Sequence, residues 1–406
     1  MADTLPFEGI KIADFSWVGV GPISTKYLAD HGATVVKVET NSPLDILRVA
    51  GPFKDGVPGP NHTQFFADYN TSKYGITLDL KSPYGVAIAH RLIAWADVFT
   101  ESFTPGTVDS LGIGYETART LNPSIIMAST CLMGQTGPAS SFAGFGFHAG
   151  SIAGYYEVTG WPDLPPDGPW TAYTDTVSPR FLAVTLMAAL DHRRRTGVGQ
   201  LIDASQLEMG LHFLAPQLID YDVSGRSVTR NGNRSDSFAP HGAFPCQGDD
   251  QWCAIAVEDD QQWAGLRRAM GEPNWAQDSR FDKAAGRLAN QDEIEGKLSE
   301  WTKSMPPETV MDTVLSEGVP AGVVQRSSDL QQDPQLAHRR FFRPLDHQEM
   351  GTIPYPGHQF RISGYDSGPR TPAPVLGQHN EEVMRELLGM TEDEVTEAII
   401  GGALGG

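Results

Sequence analysis

The start of the chain constrains the fold most. Gly9–Phe15 (GIKIADF) alternates into an apolar run and reads as a strand. Pro22–His31 reads as a helix closed by Gly32, and Ala33–Glu39 (ATVVKVE) is a β-branched run that reads as a second strand. Two strands joined by one helix lie parallel, with a right-handed crossover, and open an α/β domain. Gly75–Leu80, Asp97–Glu101 and Ser124–Ser129 read as further strands, with a helix at Tyr84–Trp95, so the alternation persists to about residue 205. Ligands of such sheets bind at the carboxyl ends of the strands, where the Gly19-Val20-Gly21 turn lies. The full G-x-G-x-x-G pattern is absent, so this turn alone is a weak signal.

A second informative stretch is Thr171–Glu208, which reads as loop, helix, turn and strand. Ser178 suits an N-cap and Pro179 a first helical position. Leu182, Leu186, Ala189 and Leu190 form an apolar stripe, His192–Arg195 crowd the last turn, Gly197 and Gly199 stop the helix, and Leu201–Ala204 read as a buried strand. Asp175 then lies in the loop just ahead of a positive helix end. That field favours its ionised form, and an ionised, desolvated carboxylate is a capable nucleophile. Acidic residues are common near helix starts, so on local sequence alone the plain loop or capping role is the more frequent one. The local sequence leaves both readings of Asp175 open.

The pattern changes after residue 222. Residues 1–222 read as the first part of a large domain, and 223–240 as a polar linker or mobile loop. Residues 241–329 read as a smaller α+β domain. It has a hairpin in Gly242–Val257, helices near Gln261–Met270, Gln291–Met305 and Pro307–Glu317, and a strand at Val319–Gln325. Residues 330–406 read as an extended Pro/Gly-rich return to the large domain, ending in helices at Glu381–Leu388 and Thr391–Ile400.

The net charge of −20 and the lack of a Lys/Arg-rich run argue against nucleic acid as a partner. No apolar run reaches bilayer-spanning length, which excludes a membrane helix. The three scattered cysteines and a start without a basic-then-apolar signal pattern fit a reducing cytoplasm. No Cys/His cluster has metal-ligand spacing.

Several segments in order resemble the class III CoA-transferase family, which includes formyl-CoA transferase, carnitine CoA-transferase and 2-methylacyl-CoA racemase. They include Phe15–Pro22, Leu28–Ala33, Val36–Glu39, Thr77–Lys81, Gly318–Pro320 and Leu376–His379. Glu101–Gly106 (ESFTPG) is similar to the family's E-N-F-x-P-G, Gly134–Pro138 matches its G-Q-T-G-P, and Arg194–Gln200 matches the segment after the helix. The resemblance implies a Rossmann-like large domain made from N- and C-terminal parts, with a smaller α+β domain inserted, and two chains interlocked as a dimer. It implies no tightly bound cofactor, with coenzyme A and acyl-CoA as substrates. It puts the family's catalytic aspartate at Asp175. For CoA it implies contacts from Val18, Gly19, Val20, Arg48, Asn70, Lys73, Ser102, Phe103 and Phe145. Asn231-Gly232-Asn233 lies near the family's glycine loop, and a simple interdomain turn is the equal alternative.

Departures from the family pattern leave other readings open. Thr40, Ser110 and Ala143 stand where several members carry basic groups for the CoA phosphates, and Ser102 replaces the Asn beside the site phenylalanine. Lys73 or Arg48 then becomes the candidate for the phosphates, and a heteromer with a related subunit stands beside the homodimer. A racemase would need a second acid/base where Gly144, Phe145 and Gly146 lie, with His148 the nearest substitute. A non-catalytic CoA-binding subunit is the third reading. Asp14–Trp17, Tyr173–Thr176 and Ala239–Gly242 resemble the benzylsuccinate CoA-transferase branch, which uses succinyl-CoA. Trp17, Phe145, Phe147, Tyr155, Tyr156 and Trp161 are candidates for an aromatic wall around a hydrophobic acid.

Overall fold

The computed structural model describes residues 4–404. The chain divides into two compact units. The first takes the chain as far as Tyr156, then Gly168–Ser227, then everything from Gln335 onward. The second comprises Glu157–Asp167 and Val228–Pro334.

The first unit is built on a six-stranded sheet of β1 (Lys11–Phe15), β2 (Thr34–Glu39), β3 (Tyr74–Thr77), β4 (Val98–Glu101), β5 (Ile126–Cys131) and β6 (Gln200–Ser205). Every pairing is parallel and the order is β3-β2-β1-β4-β5-β6. The expected α/β class is therefore met. Alternate residues of each strand point to opposite faces. Ala13, Val36, Phe99 and Met127 pack on one side with Ile88 and Leu92. Ile12, Val35, Val98 and Ile126 pack on the other with Leu28, Leu182 and Leu186. The strand order reverses direction between β1 and β4, and the crevice above that switch point is where such sheets bind ligands.

Charged side chains are buried within this sheet. Lys73 donates to Asp14 Oδ2 at 2.9 Å, to the Pro22 carbonyl at 2.9 Å and to Asn70 Oδ1 at 3.0 Å. Thr25 and Thr100 donate to the same Asp14 carboxylate at 2.6 and 3.0 Å. Burial pushes the Asp14 carboxyl up, but Lys73, Lys37 and the hydroxyls outweigh it and hold it well below the carboxylate range. Arg48 donates two hydrogen bonds to Glu39, at 2.7 and 2.6 Å, and lies over the Phe66 ring.

The helix carrying Asp175 spans Tyr173–Thr196, starting well before Ser178. Asp175 is thus in the first helical turn and not in a loop, and Pro179 is inside the helix. Packing overrides the local start signal. Thr174 Oγ1 donates to the Gly146 carbonyl at 3.0 Å, and the Tyr173 ring meets Tyr155 edge-on at 5.0 Å, so the extra turn is held from outside. Pro179 has no N–H to offer the Asp175 carbonyl four residues back.

The second unit has an antiparallel sheet of β7 (His241–Pro245), β8 (Trp252–Ala256) and β9 (Ala321–Val323), backed by a core that includes Trp263, Phe281, Leu298 and Val314. Residues 157–167 belong to this unit, which the sequence did not announce. Gly232 N donates to the Gly160 carbonyl at 2.8 Å, and Arg230 pairs with Glu157 at 3.0 Å. Most of the expected linker also belongs here, with Arg234 paired to Glu295.

The return segment is not simply extended. Back in the first unit, β10 (Phe342–His347) and β11 (Gly351–Pro356) form a two-stranded antiparallel hairpin in which Pro344 faces Pro354. Proline is tolerated there because each strand is an edge. The last helix, Glu392–Ile400, is capped by Thr391 and Glu394, and Ala398, Val383 and Met384 join the core around Ile88. Among the described residues no helix is long and apolar enough to cross a membrane.

Candidate active site

A cavity of about 320 Å³ opens above the switch point, bounded by the segments that follow β1, β4 and β5. Its walls include Trp17, Ser102, Phe103, Cys131, Phe142 and Phe145, and Asp175 also lines it. Two rims are tied together. Trp17 N donates to Ser102 Oγ at 2.8 Å, and the Trp17 and Phe103 rings sit 6.1 Å apart. Val18 has φ of 65°, an unfavourable value for a β-branched residue, and its N–H donates to Asp45 Oδ2 at 3.2 Å. Phe103 N donates to Glu101 Oε2 at 2.8 Å, and burial pushes the Glu101 carboxyl up.

Asp175 lies where backbone from three helix starts comes close. It is in the first turn of its own helix, beside Gly19 at the N-cap of the Val20–Asp30 helix and Gly146 at the start of the Gly146–Ile152 helix. A Cβ on Gly19 would lie 3.1 Å from Asp175 Cβ, and one on Gly146 only 2.7 Å from the Asp175 carboxyl carbon. Only glycine fits at 146 without displacement. Gln206 Nε2 donates to Asp175 Oδ1 and, at 3.1 Å, to Thr174 Oγ1. Gly146 lies against the same carboxylate.

Burial pushes the Asp175 carboxyl above its ordinary range, and the Gln206 hydrogen bond and the nearby Gly146 backbone only partly oppose it. The expected bias toward ionisation is therefore outweighed by desolvation. A carboxylate with a raised pKa is a more basic attacking group once ionised.

The structure brings Val18, Gly19, Val20, Ser102, Phe103, Phe145 and Asp175 to one cavity. Arg48, Asn70 and Lys73 are elsewhere. Arg48 and Lys73 are fully committed to Glu39 and Asp14, and Asn70 is buried with its oxygen on Lys73. These three, expected to contact CoA, do not line this cavity, and their side chains are engaged inside the fold. Of the proposed aromatic wall, Trp17 and Phe145 line the cavity. Tyr155 is buried with its hydroxyl on the Gly210 carbonyl at 2.7 Å, and Trp161 belongs to the second unit. His148 Nδ1 accepts the Phe145 N–H at 3.1 Å, which makes it a local cap.

Sequence reasoning missed Gln206 and Cys131 as site residues. Gln206 follows β6 directly, and the rule that sites gather at strand carboxyl ends was the one signal available for it. Among the described residues no group of three or more His, Cys, Asp or Glu is placed to hold a metal ion.

Residues 7–380 match the description of CoA-transferase family III. The succinyl-CoA–D-citramalate CoA-transferase of Chloroflexus aurantiacus is 31% identical over 96% of this chain and 96% of its own length. The beta subunit of succinyl-CoA–L-malate CoA-transferase from the same organism is 30% identical over 97% of each chain. A CaiB/BaiF family protein from Brucella suis has a solved structure similar to this one, with a TM-score of 0.87 and 30% identity, covering 95% of this chain and 100% of that one.

Proposed function

The chain belongs to CoA-transferase family III, acting on CoA thioesters, and from that premise we propose that it moves CoA from succinyl-CoA to a carboxylic acid with a hydrophobic or aromatic body, such as benzylsuccinate, through a CoA thioester on Asp175. The observation that carries this reading is the desolvated Asp175 carboxylate, held by Gln206 and packed against Gly146 in a cavity with aromatic walls. Asp175 attacks the donor thioester and expels CoA thiolate, leaving a mixed anhydride. The thiolate then attacks the aspartyl carbonyl and releases succinate. The acceptor carboxylate attacks the resulting aspartyl-CoA thioester, and the thiolate completes the exchange. Covalent catalysis of this kind replaces one difficult exchange by activated steps. The anhydride survives only where water is kept out.

The donor is supported by relatives whose names specify succinyl-CoA. Trp17, Phe103, Phe142 and Phe145 give the apolar body of an acceptor a surface to lie against. The racemase reading is disfavoured by the engaged ring of His148 and by Phe145, which cannot carry a proton.

Incubation with succinyl-CoA and no acceptor, followed by hydroxylamine, is expected to convert Asp175 to its hydroxamate and stop turnover. Peptide mass mapping of residues 171–180 reads the result, and an unmodified Asp175 in protein that still transfers CoA would put the nucleophile elsewhere. Before hydroxylamine is added, benzylsuccinate should discharge the loaded enzyme faster than malate or glutarate; the reverse order would remove the aromatic acceptor.

The same reading makes the working enzyme a pair of interlocked chains, a homodimer or a pair with a related subunit. Val184, Ile219 and Val223 are 60%, 62% and 80% exposed, an apolar excess suited to a partner. Sedimentation is expected to give twice the chain mass of 44.0 kDa when the chain is purified alone as a homodimer. A monodisperse, active monomer would contradict this.

A further inference from the structure

We infer that the Gln206 side-chain amide forms an oxyanion site for the additions at the Asp175 carbonyl carbon, with Gly146 packed against the same carboxyl. This rests on Asp175 being the nucleophile. The amide already donates to the Asp175 carboxylate in the resting structure. One hydroxyl ties Gln206 and Gly146 in place, since Thr174 Oγ1 accepts from Gln206 at 3.1 Å and donates to the Gly146 carbonyl at 3.0 Å. Gln206 is 4% exposed, so its amide faces little competing water. Gly146 completes the arrangement because any side chain there would occupy the carboxyl's own space.

The bond changes put the charge where the Gln206 amide is. When Asp175 attacks, one carboxyl oxygen becomes the bridging atom of the anhydride and the other stays a carbonyl oxygen. CoA sulfur then adds to the aspartyl carbon. The C–S bond forms and the carbonyl π pair moves onto the retained oxygen. Collapse breaks the C–O bond, and the donor acid leaves as a carboxylate with that pair. In the return half, an acceptor oxygen adds to the same carbon, the charge again falls on the retained oxygen, and the C–S bond breaks to release thiolate. No proton is transferred and nothing is oxidised or reduced. In each addition the retained oxygen is the atom that Gln206 holds as Oδ1, and preorganised donors at such a position lower the barrier.

Gln206→Leu tests this. The expected result is a fall in kcat of ~10²–10³-fold, as for loss of one oxyanion donor, with little change in KM for succinyl-CoA. The acid limb of the pH–rate profile should move to higher pH, because Asp175 loses a hydrogen bond that opposes its burial. The loaded aspartyl-CoA thioester should also be discharged more slowly by acceptor. Turnover within a few-fold of wild type would overturn the inference, as would lost turnover with an unmoved acid limb and a lowered Tm, which marks a structural role. Hydroxylamine labelling separates the two readings. If wild-type Asp175 labels but Gln206→Leu behaves as wild type, only this inference fails; if Asp175 never labels, the nucleophile assignment fails first. Should Gln206→Leu not fold, Gln206→Met, closer in shape, carries the same readouts.

Discussion

Asp175→Asn is expected to reduce CoA transfer by on the order of 10⁴-fold or more, the scale seen when a covalent nucleophile or its close partner is removed. The amide keeps a carbonyl for Gln206 and nearly the same volume, so the cavity stays packed while the attacking oxygen is lost. Stability should not fall. Burial raises the Asp175 carboxyl, so the folded state holds its proton to higher pH than the unfolded chain does. For such a group the stabilising contribution is present below the ordinary carboxylate range and is lost as pH rises through the raised value. At neutral pH the Asn variant escapes that loss, and its Tm should equal or exceed that of wild type, with the gap closing toward pH 4. Wild-type turnover, which needs the ionised form, should decline on acidification at a higher pH than an unperturbed carboxylate would give. Transfer assays and melts across that range check both halves. An Asn variant with substantial turnover, or one clearly less stable at neutral pH, would count against the assignment.

Lys73→Met should cost roughly 3–5 kcal/mol of stability, the range for breaking a buried ion pair by removing one partner. It strips Asp14 of its nearest cation and leaves the Asn70 and Pro22 oxygens without their donor. The sign with pH follows from Asp14. Its carboxyl is held low in the fold, so its contribution is present above the unfolded carboxylate range and is lost as pH falls. The deficit of the variant should therefore be largest near neutrality and shrink in acid, as urea melts would show. Its KM for succinyl-CoA should match wild type in the folded protein. A variant as stable as wild type with a raised KM would restore Lys73 to the CoA site.

The parallel sheet was legible because β1, β2 and their helix are short-range signals: β-branched runs, a helical stretch and Gly32. Asp175 was legible as a residue, but its setting was not. The Ser178-Pro179 pair is a sound local helix start, and the true start depends on Tyr173 and Thr174 packing against residues far away in sequence. The same limit explains Arg48 and Lys73. A lone cation in sequence says nothing of whether a carboxylate waits inside the fold, and here Glu39 and Asp14 do. Gln206 had only its place after β6 to mark it, since its meaning comes from the carboxylate it touches. The attachment of residues 157–167 to the second unit rests on backbone contacts such as Gly232 to Gly160, which leave no trace in composition.

The β10–β11 hairpin bears on how this chain behaves among many copies of itself. A two-stranded ribbon has two open edges, each a potential template for a strand from another molecule. Pro344 and Pro354 face each other across it. A proline can keep its place in such a ladder only where its nitrogen points outward, and outward is where an incoming strand would look for a donor. Both edges therefore lack an N–H at the same level, so further strands find a gap on either side. The ribbon is finished at two strands, and the prolines that disguised it in the sequence act as a guard against edge-to-edge aggregation during synthesis and folding.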